Sequence, residues 1–159
     1  MEFFTVGHSD HTLDKLIDLL RGAGVAQVVD VRARPGSRRH PQFGRESLEG
    51  ALTRAGIGYA WLGDLLGGLL GKPFATDTWR ELRALPRFQA GIDRLKQGFP
   101  EPCALLCAER DPLRCHRFWA IGEELAAQGI PVRHLLADGM IVDHTALVAQ
   151  SEAAQLDLI

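Results

Sequence analysis

A chain of 159 residues with 46% hydrophobic and 24% charged side chains has the size of one compact domain, residues 1–159, with an ordinary core. Its 18 basic and 20 acidic residues leave a net charge of −2, which argues against generic coating of nucleic acid by a cationic surface but allows a local basic patch. Three cysteines without framework spacing fit a reduced chain; with no signal-type N-terminus and no run of the roughly 20 apolar residues that span a bilayer, the expected location is the cytoplasm, with no membrane partner.

The opening EFFTVG reads as a short apolar strand that stops at Gly7 and delivers His8 and Ser9. Thr12 is placed to cap a helix whose Leu13, Leu16, Ile17 and Leu20 recur at helical spacing until Gly22 and Gly24 end it. In VAQVVDVR the run Val28, Val29, Val31 predicts a central parallel strand buried on both faces, with Asp30 and Arg32 at its carboxyl end. A polar loop, ARPGSRRHPQFG, leads to a helical segment near Arg45 to Ala55 and a short strand, IGYAWL. The segment that follows, GDLLGGLLGKP, is the least regular of the chain. A helix is expected around Phe88 to Lys96, then the strand PCALLC, a further helix, a fifth strand PVRHLL, and a terminal helix from about Asp143. Strand alternating with helix five times predicts an α/β fold: a single domain with a mainly parallel, Rossmann-like sheet and helices on both faces. Ligands of such sheets bind beyond the carboxyl ends of the strands, which would gather His8 and Ser9, the stretch from Asp30 to Arg38, LGDLLGG, and the stretch from Cys107 to Arg117 along one edge.

The densest chemistry lies in LLCAERDPLRCHRFWA, residues 105–120. Asp111 before Pro112 is a strong helix start, so a helix is expected from Pro112 to the stop at Gly129. Helical spacing would then put Cys115, Phe118, Trp119 and Gly122 on one face, with Cys115 turned to the sheet as a small buried hydrophobe. Cys107 ends a strand just before a helix N-terminus, where a thiolate is stabilised and Arg110, Arg114 and His116 add positive charge; the plainer reading is a strand-end core cysteine. Cys103 is four residues earlier on the same face, roughly 13 Å away and out of disulfide reach, whereas Cys107 and Cys115 form a conceivable redox pair across the short loop. Glu109 is placed either to exchange a proton or to tie down Arg32, Arg34 or Arg38. Arg110 and Arg117 read as holders of an anion or a carboxylate if the loop faces the crevice.

Elsewhere, VRARPGSRRH carries Arg32, Arg34, Arg38, Arg39 and His40 around Ser37 with no acidic residue after Asp30. It is either a solvated basic loop or a contact for phosphate, nucleotide or nucleic acid. Phe43 is the only aromatic residue near this run, which weakens the case for stacking single-stranded nucleic acid. His8 is a proton shuttle or a structural hydrogen bonder. The glycine fingerprints of dinucleotide and P-loop sites and the C-x-x-C pair are absent. Cys107, Cys115, His116 and His8 match no standard zinc spacing, so no metal and no cofactor is expected.

GHS after the first strand, DVRARPGSR after the second, LGDLLGG in the middle and CAERDPLRCHR before the long helix together resemble the family called domain of unknown function 488. The resemblance implies a small α/β domain, with His8, Ser9, Asp30, Arg32, Pro35, Ser37, Arg38, Gly67, Gly68, Cys107, Glu109, Cys115, His116 and Arg117 on motif positions. A looser likeness links VVDVR, the strand ending in Cys107 and VRHLLADG to rhodanese-type sulfurtransferases, although Glu109, Asp111 and Pro112 stand where a persulfide-cradling loop is expected.

The expectation is therefore an enzyme acting on an anionic, phosphate-bearing or nucleotide-like substrate. Cys107, Glu109 and His8 would be catalytic. Ser9, Asp30, Arg32, Arg34, Ser37, Arg38, Arg110, Cys115, His116 and Arg117 would hold the substrate. The alternative is a non-catalytic module that binds nucleic acid or a nucleotide.

Overall fold

The computed structural model describes residues 1–36 and 38–156; Ser37 lies outside the described residues. The elements are β1 (Phe3–Gly7), α1 (Leu13–Gly22), β2 (Gln27–Asp30), α2 (Arg45–Arg54), β3 (Gly58–Trp61), α3 (Gly63–Leu66), α4 (Thr76–Ala84), α5 (Pro86–Lys96), β4 (Cys103–Cys107), α6 (Glu123–Ala127), β5 (Val132–Leu135), β6 (Ile141–Asp143) and α7 (His144–Leu156). They build one sheet in the order β3-β2-β4-β1-β5-β6, parallel except for β6. Among the described residues no helix is long and apolar enough to cross a membrane.

The period-two alternation of β4 explains the two layers of the core. Cys103, Leu105 and Cys107 face one layer, where they meet Leu82, Phe88, Ile92 and Ile121; Ala104 and Leu106 face the other, with Leu16, Leu20, Leu48 and Leu52. Leu16 and Leu20 are fully buried, each contributing on the order of 1.5–3 kcal/mol, and they clamp α1 to its face of the sheet. The start of α1 is fixed by the Thr12 hydroxyl, which accepts the Lys15 amide at 3.1 Å.

The topology places the crevice. From β1 the chain crosses past β4 to reach β2, whereas from β4 it crosses past β1 to reach β5, so two neighbouring strands send their connections to opposite sides. A ligand crevice forms at such a switch point, here over the ends of β1 and β4. Close pairing continues past these ends, since the His8 and Ser9 amides donate to the carbonyls of Cys107 and Ala108, both at 2.9 Å.

Three expectations are corrected. The sheet has six strands: β6 folds back antiparallel on β5. A helix, α4, occupies Thr76–Ala84 ahead of α5. The helix expected from Pro112 does not start there. Asp111 does cap, accepting the Leu113 amide at 2.9 Å, but it opens only a 3-10 turn, Pro112–Arg114. Cys115 is then extended, with φ −137° and ψ 148°, and the chain restarts as a π-wound turn, Arg117–Gly122, that runs into α6. Cys115 is buried because of this break and not because of a helical face.

Candidate active site

The floor of the crevice is made by the interrupted segment turning back on β4. Extended backbone at Cys115 aims its thiol at the end of β4, and the Cys115 and Cys107 sulfurs lie 2.8 Å apart. The His116 ring closes the group: its Nδ1 is 3.7 Å from Cys107 Sγ and 3.6 Å from Cys115 Sγ, while Nε2 donates to the Val31 carbonyl at 3.2 Å. All three side chains are buried yet line the cleft.

These contacts set the charges. The hydrogen bond from Cys115, against the cost of burial and with help from the positive charges of His116 and Arg117, holds the Cys107 thiol well below its ordinary value. Burial, and then the bond to Cys107 and its negative charge, push Cys115 well above. His116 is opposed by burial, but the Cys107 charge, the hydrogen bond to Cys107 and the bond to the Val31 carbonyl together outweigh this and raise it. These shifts favour the thiolate form at Cys107, the thiol form at Cys115 and the protonated ring at His116. Burial, helped by the nearby charge of Glu101, pushes Cys103, at the far end of β4, up to about 12 and keeps it a thiol.

One wall is a buried ion pair. Arg32 Nε and Nη2 donate to the two Asp30 oxygens at 2.9 and 2.8 Å, Nη1 donates to the Phe43 carbonyl at 2.8 Å, and Tyr59 adds its hydroxyl to Asp30 at 2.6 Å. Asp30 is therefore a support behind Arg32, which itself reaches the cleft. His8 stacks on Phe43 at 4.4 Å, and its Nδ1 donates to the Ser9 carbonyl at 2.8 Å. Burial lowers its affinity for a proton, which leaves a neutral ring with Nε2 as the basic nitrogen. Gly7 is required at this strand end, because a Cβ would sit 1.8 Å from the Glu109 carbonyl oxygen. Likewise a Cβ on Gly67 would fall 2.6 Å from that of Ala33, so the glycine-rich segment packs directly on the turn after Arg32.

The other expected residues divide. Ser9, Arg34, Glu109 and Arg110 join His8, Arg32, Cys107, Cys115 and His116 along the cleft. Arg110 is tied to Asp10 at 2.8 Å and to the Ser9 hydroxyl at 3.1 Å, so it braces the rim. Glu109 is exposed and has no ion-pair partner among the described residues, which removes the expected tie to an arginine. Arg38 is exposed and does not line the cleft, and Arg117 is buried beneath it, donating to the carbonyls of Glu109 and Arg110.

Of the rim, sequence reasoning named Arg39, His40 and Arg114 but missed Lys72, Phe74 and Trp79. Arg39, His40, Lys72, Arg114, Phe74 and Trp79 line the opening of a cleft of about 940 Å³. Phe43, the expected aromatic, is fully buried; Phe74 and Trp79 instead supply the accessible rings, packed edge to face at 5.2 Å. The presence of α4 carries Trp79 there, and the only sequence signal for it is the weakly patterned stretch TDTWRELRA. Among the described residues the cleft has six arginine and lysine side chains, Arg32, Arg34, Arg39, Lys72, Arg110 and Arg114, against the carboxylates of Asp10 and Glu109. A chain of net charge −2 thus has a cleft of the opposite sign.

Behind the site runs a buried polar chain. Arg117 Nε donates to Thr5 Oγ1 at 3.2 Å, Thr5 is 2.6 Å from His134 Nδ1, His134 Nε2 is 3.0 Å from His144 Nδ1, and His144 Nε2 reaches the Glu123 carboxylate at 2.9 Å. Burial, with His144 and Arg117 nearby, lowers His134 to about 3, so the ring is neutral and each link passes its hydrogen outward to Glu123.

Cys107, Cys115 and His116 also form the one group of three metal-type donors among the described residues, within 4.8 Å of one another. Their sulfur–nitrogen distances suit two ligands of a tetrahedral zinc. The sulfurs, at 2.8 Å, are closer than the roughly 3.8 Å that two Zn–S bonds of about 2.3 Å require, so a zinc would have to spread two buried side chains.

No curated protein and no solved structure matches the chain. A family model does: that of Domain of unknown function DUF488, over residues 12–121. The match takes in the basic loop, the glycine-rich segment and both cysteines of the cleft floor, and begins after His8 and Ser9. With well over half its length matched, the chain belongs to the DUF488 family.

Proposed function

We propose that the chain is a cysteine-dependent enzyme that accepts an anionic, phosphate-bearing or nucleotide-like substrate in the cleft and takes a group from it onto Cys107. The observation that carries this reading is the position of the Cys107 sulfur. It lies on the floor of a cationic cleft, in contact with a thiol donor and an imidazole. Arg32, Arg34, Arg39, Lys72 and Arg114 attract and orient the anion. His116 supplies a proton to the leaving group, and His8 Nε2 or Glu109 at the rim accepts one. The three free cysteines suit a reducing compartment, which we take to be the cytoplasm.

Iodoacetamide labelling of the native chain against pH, resolved by peptide mass spectrometry, tests this. Cys107 should label faster than Cys103, keep its rate below the free-thiol pKa of about 8.5, and be slowed by inorganic pyrophosphate. An inert Cys107 in reduced protein would remove the nucleophile.

One observation favours a second reading, a binding module for nucleotide or nucleic acid. Phe74 and Trp79 stand beside Lys72 at the mouth, an aromatic surface next to positive charge on which a base could stack. That module would bind mononucleotides or single strands in a salt-dependent way and would survive alkylation of both cleft cysteines.

A further inference from the structure

In the reading above Cys115 only donates a hydrogen bond, yet its placement suits a second task. Two thiols in contact have a product that one thiol lacks, an intrachain disulfide, and forming it releases two electrons. The Cys115 sulfur is 2.8 Å from Cys107, both line the same cleft, and Cys115 sits on extended backbone between two turns, outside the hydrogen-bonded body of a helix. Cys103 is at the opposite end of β4, paired with Phe3 and Gln27 at the amino edge of the sheet, and cannot compete.

We propose that Cys115 is a resolving thiol, so that the Cys107–Cys115 pair reduces anionic disulfides drawn into the cationic cleft. The proposal rests on Cys107 being the nucleophile, and it makes the group taken onto Cys107 a sulfur.

The steps balance. Cys107 attacks one sulfur of R–S–S–R′; the Cys107 Sγ–S bond forms, the substrate S–S bond breaks, and R′–S⁻ leaves with the proton of the His116 imidazolium. Cys115 gives its proton to the freed His116 Nδ1 and attacks Cys107 Sγ. The Sγ–Sγ bond forms, R–S⁻ leaves, and His116 passes it that proton. One disulfide has become two thiols, and the cysteine pair has lost two electrons. A small monothiol in excess restores the pair by two exchanges, ending as its own disulfide. The acceptor must be anionic because the cleft wall is cationic, and Phe74 and Trp79 favour one with a planar apolar body.

The test uses dithiobis(nitrobenzoate), an anionic aromatic disulfide, on the native reduced chain, with released thiol read by absorbance and the cysteines mapped by mass spectrometry. The wild-type chain should release two equivalents, the second without delay, and carry a Cys107–Cys115 disulfide with Cys103 free. Cys115→Ser should release one equivalent and retain a mixed disulfide on Cys107. Cys115→Ala repeats this without a new hydroxyl should the serine disturb the fold. The anionic probe should react at least about ten-fold faster than neutral hydroxyethyl disulfide at low salt. A wild-type chain that keeps the mixed disulfide as long as Cys115→Ser does would overturn the resolving role while sparing the nucleophile. A chain in which native Cys107 does not react, and Cys107→Ser releases as much thiol as wild type, would overturn both.

Discussion

The Asp30 carboxylate grips the Arg32 guanidinium with both oxygens, at 2.9 and 2.8 Å, and neither residue is more than 6% exposed. Fork-to-fork pairing of this kind fixes the plane of the guanidinium, and the Phe43 carbonyl and the Tyr59 hydroxyl close its back. Asp30→Asn would leave a buried cation without its charge partner, so it should cost about 3–5 kcal/mol in urea unfolding, and Arg32→Met combined with it should recover a large part. A loss below 1 kcal/mol in the single variant would mean that the pair is not held as described.

Acid should destabilise the fold through His134. Its folded affinity for a proton is lowered to about 3, so between about 6.5 and 3 the unfolded chain binds a proton that the folded chain refuses. Stability contributed by the neutral ring is complete above about 6.5 and declines as pH falls, by at most about 1.4 kcal/mol per pH unit. Unfolding free energies from pH 7 to 4 should therefore fall less steeply for His134→Gln than for wild type, and parallel slopes would contradict the assignment.

Gly7→Ala should be among the most damaging single changes at the site. A methyl group there must displace the Glu109 carbonyl, which Arg117 holds from the other side, so neither neighbour can give way cheaply. A loss of about 3 kcal/mol or more is expected. Thermal denaturation of the variant, with Gly36→Ala as a control where no atom lies within 4 Å of the added Cβ, checks this.

Anion affinity should depend on side chains that nothing else engages. Among the described residues Arg34, Arg39 and Lys72 have no ion-pair partner, unlike Arg32 and Arg110. Replacing all three by alanine should weaken adenosine monophosphate binding about 100-fold and flatten its salt dependence. Calorimetry at two ionic strengths measures both, and Arg80→Ala, on the exposed side of α4, should leave them unchanged.

The gathering of the site was legible because it follows from chain order. Once Gly7, Asp30 and Cys107 are read as strand ends of one parallel sheet, their neighbours must meet at its carboxyl edge. What escaped the sequence were features decided by distant contacts. Asp111-Pro112 carries the local chemistry of a helix start, and the structure uses that chemistry for a single turn; the break at Cys115 answers to Cys107 on β4, eight residues back and across a loop. In α4 only Thr78 and Leu82 are buried, so its apolar stripe is too thin to stand out after the glycine-rich stretch. β6 has three residues and no buried one, leaving almost no alternation to read. Phe43 adjoins the basic run in sequence, but its ring faces the core.

The chain from Arg117 through Thr5, His134 and His144 to Glu123 has a single direction. An ionised carboxylate can only accept, so Glu123 obliges His144 to present its Nε2 hydrogen, which leaves Nδ1 to receive from His134, and the same obligation passes back to Thr5 and to the arginine under the cleft. Neither imidazole can reverse its tautomer alone; the two turn together or not at all. A partly exposed acid at the start of α6 thereby dictates where protons sit on two sealed rings, and neutralising it with glutamine would free both rings to run either way, while Arg117, which can only donate, keeps its direction.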